Sequence, residues 1–429
     1  MKKLLLTASI MTFTSGAAYA QNAPTPPLVP AFPATTGQLS DITQNGTDNL
    51  ILVDQTGGSQ GGLSISQVGD GLDATVTQTE ASGGGNAFGA IANIAEIGQE
   101  GEGARARIEQ NHTGGTSGPN TALIQQNAFS GPGSTILLSG FATNSVILQD
   151  GADNQSSIVQ EGISQPGTSG FSAKNDQTGV GNRSFIDQRI AMNAVPGSDA
   201  DAFQTGDNNG STIFQDGNNL DGNLNQNANA NLSVMFQSGD DHFARVRQLA
   251  DGNSSFFDQF NTGNEAFITQ LGTSSISVVV QSGNSQFAEL NQNGIISLNV
   301  MFQSGDDHFA RVRQLGDLNS SNVDQSDTGS SLEVLQDGTF GFSHVIQTGN
   351  LQVAALNQSG MNNDSNITQD NGLLTGGNEA TVNQTSDDNL SNIFQAGELN
   401  VALVNQTVTA GSISNITQLG MGHSATVNQ

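Results

Sequence analysis

The sequence predicts an all-β protein in which strand-turn-strand units of about 22 residues stack into a β-solenoid with cross-β character. Gln recurs every eleven residues from Gln204 to Gln369, apolar and polar side chains alternate before each Gln, and Gly, Asp and Asn cluster after it. Alternation with a period of two indicates a half-buried strand, and Gly, Asp and Asn are typical of tight turns. Each eleven-residue segment is therefore interpreted as one strand of about six residues followed by one turn of about five.

The recurring Gln residues are interpreted as a structural ladder. A buried amide costs free energy unless it is hydrogen-bonded. Stacked identical amides can bond to their equivalents in the layers above and below, which would satisfy them and hold the strands in register. The predicted ladder consists of Gln204, Gln215, Gln226, Gln237, Gln248, Gln259, Gln270, Gln281, Gln292, Gln303, Gln314, Gln325, Gln336, Gln347, Gln358 and Gln369.

Apolar residues two positions before each Gln are expected to form a narrow core. Four positions before Gln a small residue alternates between Ala and Ser, so two strands of different character make one unit of about 22 residues. One such unit cannot bury its apolar side alone, but stacked units can. The predicted core aliphatic residues are Ile213, Val246, Ile268, Val279, Leu290, Val312, Val334, Leu356 and Ile367.

Four segments are expected along the chain. Residues 1–20 are typical of a signal peptide, with a positive start, a short apolar run and cleavage predicted after Ala20. Residues 21–40 are rich in Pro, which opposes regular strand pairing; they form either a loose tail or a recognition segment for an export channel. Residues 41–200 contain irregular repeats and residues 201–429 regular ones.

Composition narrows the function classes. The net charge of −28 makes nucleic-acid binding through a basic surface very unfavourable. No later segment has the length of a transmembrane helix, so membrane insertion of the mature chain is not expected. The chain has no Cys, hence no disulfide framework. No nucleophile motif or phosphate-binding loop is found, and no cofactor, metal ligand or catalytic residue is predicted, so the chain is expected not to be an enzyme.

The repeat resembles the curlin repeat of curli fibre subunits. Good instances of the pattern Gln-x-Gly-x-x-Asn-x-Ala-x-x-x-Gln run from Gln177 through Asn182 to Gln188, and from Gln259 through Asn264 to Gln270. The resemblance covers roughly residues 40 to 429. It implies secretion by a two-membrane bacterium, and self-assembly into extracellular, pilus-like amyloid fibres that support cell adhesion and biofilm matrix. It also implies two partners besides the chain itself: a nucleating subunit and an outer-membrane export channel.

Several alternatives remain open at the level of the sequence. The chain could be the major fibre subunit or the nucleator, and the irregular repeats before residue 200 could lie inside or outside the fibre core. A monomeric β-solenoid that serves as a surface adhesin or binding module is the competing interpretation. The handedness of the stack and the surface or ligand bound by the fibre are likewise undetermined by these patterns.

Overall fold

Stacked β-strands account for all the regular secondary structure in the described part of the chain. The computed structural model describes residues 39–57, 62–80, 93–112, 120–130, 143–164, 171–190, 197–372 and 375–429. These ranges contain thirty-two strands and no helix. The predicted all-β fold is therefore confirmed, whereas the signal peptide, its cleavage site after Ala20 and nearly all of the Pro-rich segment lie outside the described residues.

The chain divides into two compact units, Met1–Asp241 and His242–Gln429. Within each unit, odd-numbered strands pair with one another in a parallel sheet, called sheet A, and even-numbered strands form a second parallel sheet, called sheet B. Strands that follow each other along the chain thus belong to opposite sheets. One strand from each sheet makes one turn of the solenoid, as the two-strand unit predicted.

The first unit contains fifteen strands. Its sheet A comprises β1 (Leu39–Asn45), β3 (Gly62–Asp70), β5 (Ile94–Glu102), β7 (Thr121–Ser130), β9 (Gln155–Ser164), β11 (Arg183–Ile190), β13 (Gly210–Asn218) and β15 (Leu232–Asp240). Its sheet B comprises β2 (Leu50–Gly57), β4 (Asp73–Glu80), β6 (Arg105–His112), β8 (Asn144–Ala152), β10 (Ser172–Val180), β12 (Asp199–Thr205) and β14 (Asp221–Gln226).

The second unit contains seventeen strands. Its sheet A comprises β17 (Ser254–Thr262), β19 (Ile276–Asn284), β21 (Leu298–Asp306), β23 (Ser320–Thr328), β25 (Phe342–Asn350), β27 (Asp364–Asp370), β29 (Leu390–Glu398) and β31 (Ile413–Met421). Its sheet B comprises β16 (Phe243–Gln248), β18 (Glu265–Gln270), β20 (Phe287–Gln292), β22 (Phe309–Gln314), β24 (Ser331–Gln336), β26 (Val353–Gln358), β28 (Glu379–Gln384), β30 (Val401–Gln406) and β32 (Ser424–Asn428).

Strand pairing keeps every repeat position aligned with its copy in the next turn. In the second unit, Gln281 of β19 pairs with Gln303 of β21, and Gln303 pairs with Gln325 of β23. The step between these partners is 22 residues, so the predicted length of one turn is confirmed. Because side chains alternate between the two faces of a strand, this register sends the same set of side chains inward in every turn.

The turns correct one detail of the sequence interpretation. After Gln in most strands of sheet A, the chain stays extended for three more residues, so these strands are nine residues long rather than six. Gly283 lies in this extension: a Cβ there would collide with the carbonyl oxygen of Gly305 in the next turn. The chain reverses two residues later, where Ser285 and Asp307 adopt positive φ. Here Gly serves the close approach of stacked backbones rather than the reversal itself.

Candidate functional site: amide ladders and outer faces

All sixteen predicted ladder residues lie inside the solenoid. Their exposed fractions do not exceed 2%, the value reached by Gln215. Each Gln ends its inward-facing run at one edge of the core, so the residues form one column along sheet A and another along sheet B. The columns continue into residues that precede and follow the regular run, including Gln67, Gln110 and Gln406.

Neighbouring ladder residues are joined by direct side-chain hydrogen bonds. In the second unit, Gln281 Nε2 donates to Gln303 Oε1 at 2.9 Å, and Gln303 Nε2 donates to Gln325 Oε1 at 2.9 Å. In the first unit, Gln204 donates to Gln226 at 2.9 Å in the same way. In each pair the earlier residue of the chain is the donor, so the described ladders all have the same polarity.

The second amide hydrogen ties the two sheets together, a role that the repeat pattern did not reveal. Gln314 Nε2 at the end of β22 also donates to the backbone carbonyl of Leu298, at the start of β21, at 3.0 Å. Gln303 does the same with the carbonyl of Phe287 at 3.1 Å. Both amide hydrogens are thereby satisfied in a site from which water is excluded. The contact also shows that the two strands of one turn run in opposite directions across the core.

The ladder geometry does not depend on the length of chain between its members. Gln110 and Gln149 are 39 residues apart, yet their bond measures 2.8 Å. Gln358 and Gln384, which are 26 positions apart, are bonded at 2.9 Å. Partners with the regular separation of 22 residues, such as the pair that begins at Gln281, show the same length. The stacking of the strands therefore determines the length of this hydrogen bond, and the number of residues that connect the strands does not.

A second polar column runs along each solenoid edge, six residues before Gln. At this position Asn264 accepts a hydrogen bond from the backbone N–H of Gln286 in the next turn at 3.0 Å. Its Nδ2 donates to the carbonyl of Gly283 at 2.9 Å. Backbone groups of the turns are thus paired by side chains of the column. The frequent Asn at this repeat position was visible in the sequence, but its bonding role was not.

His308 occupies the same position and shows how the column accepts a substitute. The backbone N–H of Ser330 donates to Nδ1 of His308 at 3.3 Å, and His308 Nε2 bonds the carbonyl of Ser304 at 2.9 Å. This arrangement requires the neutral ring with its proton on Nε2. Burial holds the pKa of His308 below its usual value, although Asp306, Asp327 and Asp307 act in the opposite direction.

The predicted core aliphatic residues are all buried, with exposed fractions of 2% or less. Among the described residues, Asn175 and Asn299 place amide groups at core positions. Asn175, at an aliphatic position, donates to Ser156 Oγ at 2.8 Å and accepts from Ser184 Oγ at 2.6 Å, so two Ser residues of the opposite sheet compensate it. Asn299, at a small-residue position, is fully buried and neither of its side-chain polar atoms has a hydrogen-bond partner.

The Arg residues of the second unit are confined to one of its outer faces. The four Arg residues of this unit, Arg245, Arg247, Arg311 and Arg313, all belong to strands of sheet B. Sheet A instead presents aliphatic side chains on β19 and β21, where Val278 and Val300 are half-buried. An Arg-bearing face and an apolar face thus lie on opposite sides of one thin core.

Asp258 stands out on the apolar face. It is half-buried on β17, and its Oδ1 is shielded from solvent without a hydrogen-bond partner. Burial raises the pKa of Asp258 to about 7. Asp324 on β23 has its pKa raised by burial as well, while the nearby His344 acts in the opposite direction. Both carboxylates are therefore poorly solvated in their charged forms.

Within the described ranges, no group of three or more His, Asp or Glu side chains is placed to hold a metal ion. Nor does any helix there have the length and apolarity needed to span a membrane. The repeated polar architecture of the ladders and the two outer faces are accordingly the candidate functional features of this chain.

Comparison with known protein families gives one match. Residues 46–79 match the family model described as the curlin associated repeat. This segment includes ladder residues Gln55, Gln67 and Gln78, of which Gln55 donates to Gln78 at 2.6 Å. The resemblance seen in the sequence is confirmed for this segment. No curated protein matches the chain.

Proposed function

We propose that this chain, which carries a curlin associated repeat at residues 46–79, is a structural subunit of extracellular curli-type amyloid fibres. In this role copies of the chain stack on one another in register, and the resulting fibre supports cell adhesion and biofilm matrix outside a two-membrane bacterium. The chain acts as building material rather than as an enzyme. A nucleating subunit and an outer-membrane export channel complete the proposed system.

The observation that carries this proposal is the independence of the ladder from chain connectivity. Bonds of 2.8 Å join Gln110 to Gln149 across 39 residues and Gln149 to Gln177 across 28 residues. A turn therefore recognises the next turn through its strands and amides, whatever length of chain joins them. A turn from a second copy offers the same groups, so the contacts that stack turns within one chain can also stack one chain on another.

Ladder polarity determines how such copies can join. A ladder Gln inside a column donates from Nε2 toward the following turn and accepts at Oε1 from the preceding one, as Gln292 does between Gln270 and Gln314. Two copies can continue the ladder only if the donor side of one meets the acceptor side of the other. The proposed fibre is consequently polar, with all subunits pointing the same way.

Assembly of the purified mature chain tests the proposal. The chain is diluted from denaturant, and thioflavin fluorescence and X-ray fibre diffraction are followed over several days. We expect a sigmoidal rise in fluorescence and a meridional reflection near 4.7–4.8 Å, the spacing of strands stacked along a fibre. A protein that stays monomeric by light scattering and lacks this reflection would instead be the monomeric adhesin, and the fibre proposal would be abandoned.

The role of the amides is tested separately by substitution. A variant with Ala at Gln281, Gln292, Gln303 and Gln314 should assemble much more slowly, because six buried ladder bonds, three in each of the two columns, involve these four residues. The matched control places Ala at the outward residues Thr269, Asn291, Leu335 and Asn357. Equal assembly rates for the two variants would exclude the ladders as the element that holds register.

A further inference from the structure

Two rows of outward side chains in the second unit have matching spacing and opposite charge. The residues directly before Gln on four successive strands of sheet A form an acidic-ended row: Asp258, Val280, Phe302 and Asp324. The corresponding residues of sheet B form a basic-ended row: Arg247, Thr269, Asn291 and Arg313. In both rows the charged ends are three strand spacings apart, or about 14 Å.

The two rows have no means of meeting within one chain, because they point away from the core on opposite faces. Asp258 Oδ1, at the end of one row, and Arg247 Nε, at the end of the other, are both shielded from solvent and have no hydrogen-bond partner in the described residues. Arg311, on the same face as Arg247, instead bonds Glu289 at 2.8 Å. One end of each row thus carries a charged group with a shielded polar atom that the chain itself does not pair.

We propose that sheet A of the second unit binds sheet B of the second unit in another copy of this chain, side by side, so that the acidic-ended row meets the basic-ended row. This contact rests on the proposed function, since it joins assembled fibres laterally. Asp258 then pairs with Arg313 of the other copy, and Asp324 with Arg247. Between the paired ends, Val280 and Phe302 cover the shorter Asn291 and Thr269.

The direction of the second copy follows from the strand directions. The two strands of a turn run oppositely across the core, as the bond from Gln314 at the end of β22 to Leu298 at the start of β21 requires. If both copies point the same way, the row before Gln on sheet A faces the first residues of the sheet B strands, such as Phe243. Only a copy that points the opposite way places Asp258 and Arg313 on the same side of the contact.

The apolar side chains on the outer face of sheet A also support a second copy of this chain as the partner. Val278 and Val300 lie beside the acidic-ended row and are half-buried, and Phe302 is 39% exposed. On sheet B the rings of Phe287 and Phe309, the first residues of β20 and β22, stack with centroids 5.2 Å apart, and in the opposed copy Phe287 faces Ile276, the first residue of β19. A single contact of four strands is small, but a fibre repeats it in every subunit, and repeated weak contacts become strong when they act together.

Charge reversal with mixing tests the proposal. One variant carries Asp258→Arg and Asp324→Arg, and the other carries Arg247→Asp and Arg313→Asp. Each variant alone should form separate fibres, because both of its faces then have the same charge, whereas wild-type fibres should form bundles. A mixture of the two kinds of preformed fibre should bundle again, since the reversed faces are complementary. Bundle width is measured by electron microscopy and sedimentation.

The matched control is Asp364→Arg, which changes an outward Asp of sheet A outside the row and should leave bundling unchanged. Bundling of each variant alone, or failure of the mixture to bundle, would overturn the lateral contact while thioflavin fluorescence still reports fibres. Absence of fibres from the wild-type chain would instead refute the proposed function. If a reversed variant does not assemble, Asp258→Asn with Asp324→Asn replaces it, and bundles as wide as wild type then overturn the contact.

Cross-linking tests the direction of the copies, because the natural chain has no Cys. Fibres of Asp258→Cys mixed with fibres of Arg313→Cys should form the mixed disulfide under mild oxidation. Fibres of Asp258→Cys mixed with fibres of Phe243→Cys should not. The reverse result would show that the copies point the same way and would overturn the proposed pairing.

Discussion

Gln110 donates a hydrogen bond from Nε2 to Oε1 of Gln149 at 2.8 Å, although 39 residues separate the two along the chain. Gln149 is in turn the donor to Gln177 at the same distance. Each ladder amide is therefore a donor and an acceptor at once, held by strands above and below it. Loss of one amide leaves a buried group without a partner in both neighbouring turns, which makes the ladder sensitive to single substitutions.

Gln270→Leu should lower the free energy of unfolding by about 2–4 kcal/mol, because several buried polar groups lose their partners at about 1–3 kcal/mol each. Gln270 accepts from Gln248 at 2.8 Å, and it donates to Gln292 and to the carbonyl of Ser254. Urea unfolding of the full chain, kept monomeric at low concentration, measures the change. Thr269→Leu, at the adjacent outward position, is the control and should change stability by no more than about 0.5 kcal/mol. Equal losses for both would contradict the importance of the amide.

Asn299→Ser should stabilise the protein. Asn299 is fully buried and neither side-chain polar atom is bonded, whereas Ser277 and Ser321 occupy the equivalent position in the two adjacent strands. Removing an unsatisfied buried amide is expected to raise the free energy of unfolding by about 1–2 kcal/mol. Thermal and urea unfolding provide the measurement.

The matched control for this prediction is Asn264→Ser. Asn264 is also buried, but it bonds the backbone of Gln286 at 3.0 Å and the carbonyl of Gly283 at 2.9 Å. The control should lose about 1–3 kcal/mol for the partners left unsatisfied. If both Asn variants shift stability in the same direction, hydrogen-bond satisfaction does not decide the outcome at these positions.

His308→Asn should remove a dependence of stability on pH. The pKa of His308 is lower in the folded protein than in the unfolded chain because the ring is buried. The unfolded chain therefore binds the proton more readily, and the stabilisation present above the unfolded pKa of about 6.5 is lost as the pH falls through the folded pKa. A protonated ring would also turn an N–H toward the N–H of Ser330, which now donates to Nδ1. Asn bonds in the same way without titrating.

Urea unfolding at pH 7.5 and at pH 5 measures this effect. We expect the wild type to lose more stability than His308→Asn between the two values, and the two proteins to be similar at pH 7.5. His423→Asn is the control, because His423 occupies the same repeat position but is exposed. If His308→Asn leaves the dependence of stability on pH unchanged, the His308 ring does not contribute to that dependence.

Ile296→Asn should stabilise the turn that precedes β21. Ile296 has φ of 55°, in the left-handed region that is costly for a β-branched residue and that Asn tolerates better. Its side chain is 55% exposed, so little apolar burial is lost on substitution. The expected gain is about 1 kcal/mol, by thermal unfolding. Ile295→Asn is the control: Ile295 is 49% exposed and does not have positive φ. A gain of the same size from Ile295→Asn would assign the effect to lost surface hydrophobicity.

Much of the fold and of the ladder could be predicted because each depends on local alternation repeated many times. The inward positions of Val279, Leu290 and Gln292 follow from a period of two. The 22-residue length of one solenoid turn follows from two steps of eleven residues. The sequence pattern predicts Gly283 in the turn, because a Gly next to polar residues has the same local signature in a reversal and in a close approach of backbones. The pattern does not predict the positive φ of Ile296, since a β-branched side chain gives no sign of it.

The sequence by itself determined what recurs: alternating strands, an inward Gln, a narrow core and a solenoid turn of 22 residues, because these depend on a periodicity that neighbouring residues carry. Only the tertiary structure decided which side chains contact one another and which backbone groups they bond. In the structure the second amide hydrogen of Gln314 is donated to the carbonyl of Leu298. Asp258 and Arg247 lie on opposite faces, and Asp258 Oδ1 and Arg247 Nε have no hydrogen-bond partner among the described residues. Contacts of this kind join residues from different strands, so their geometry exists only once the backbone has stacked.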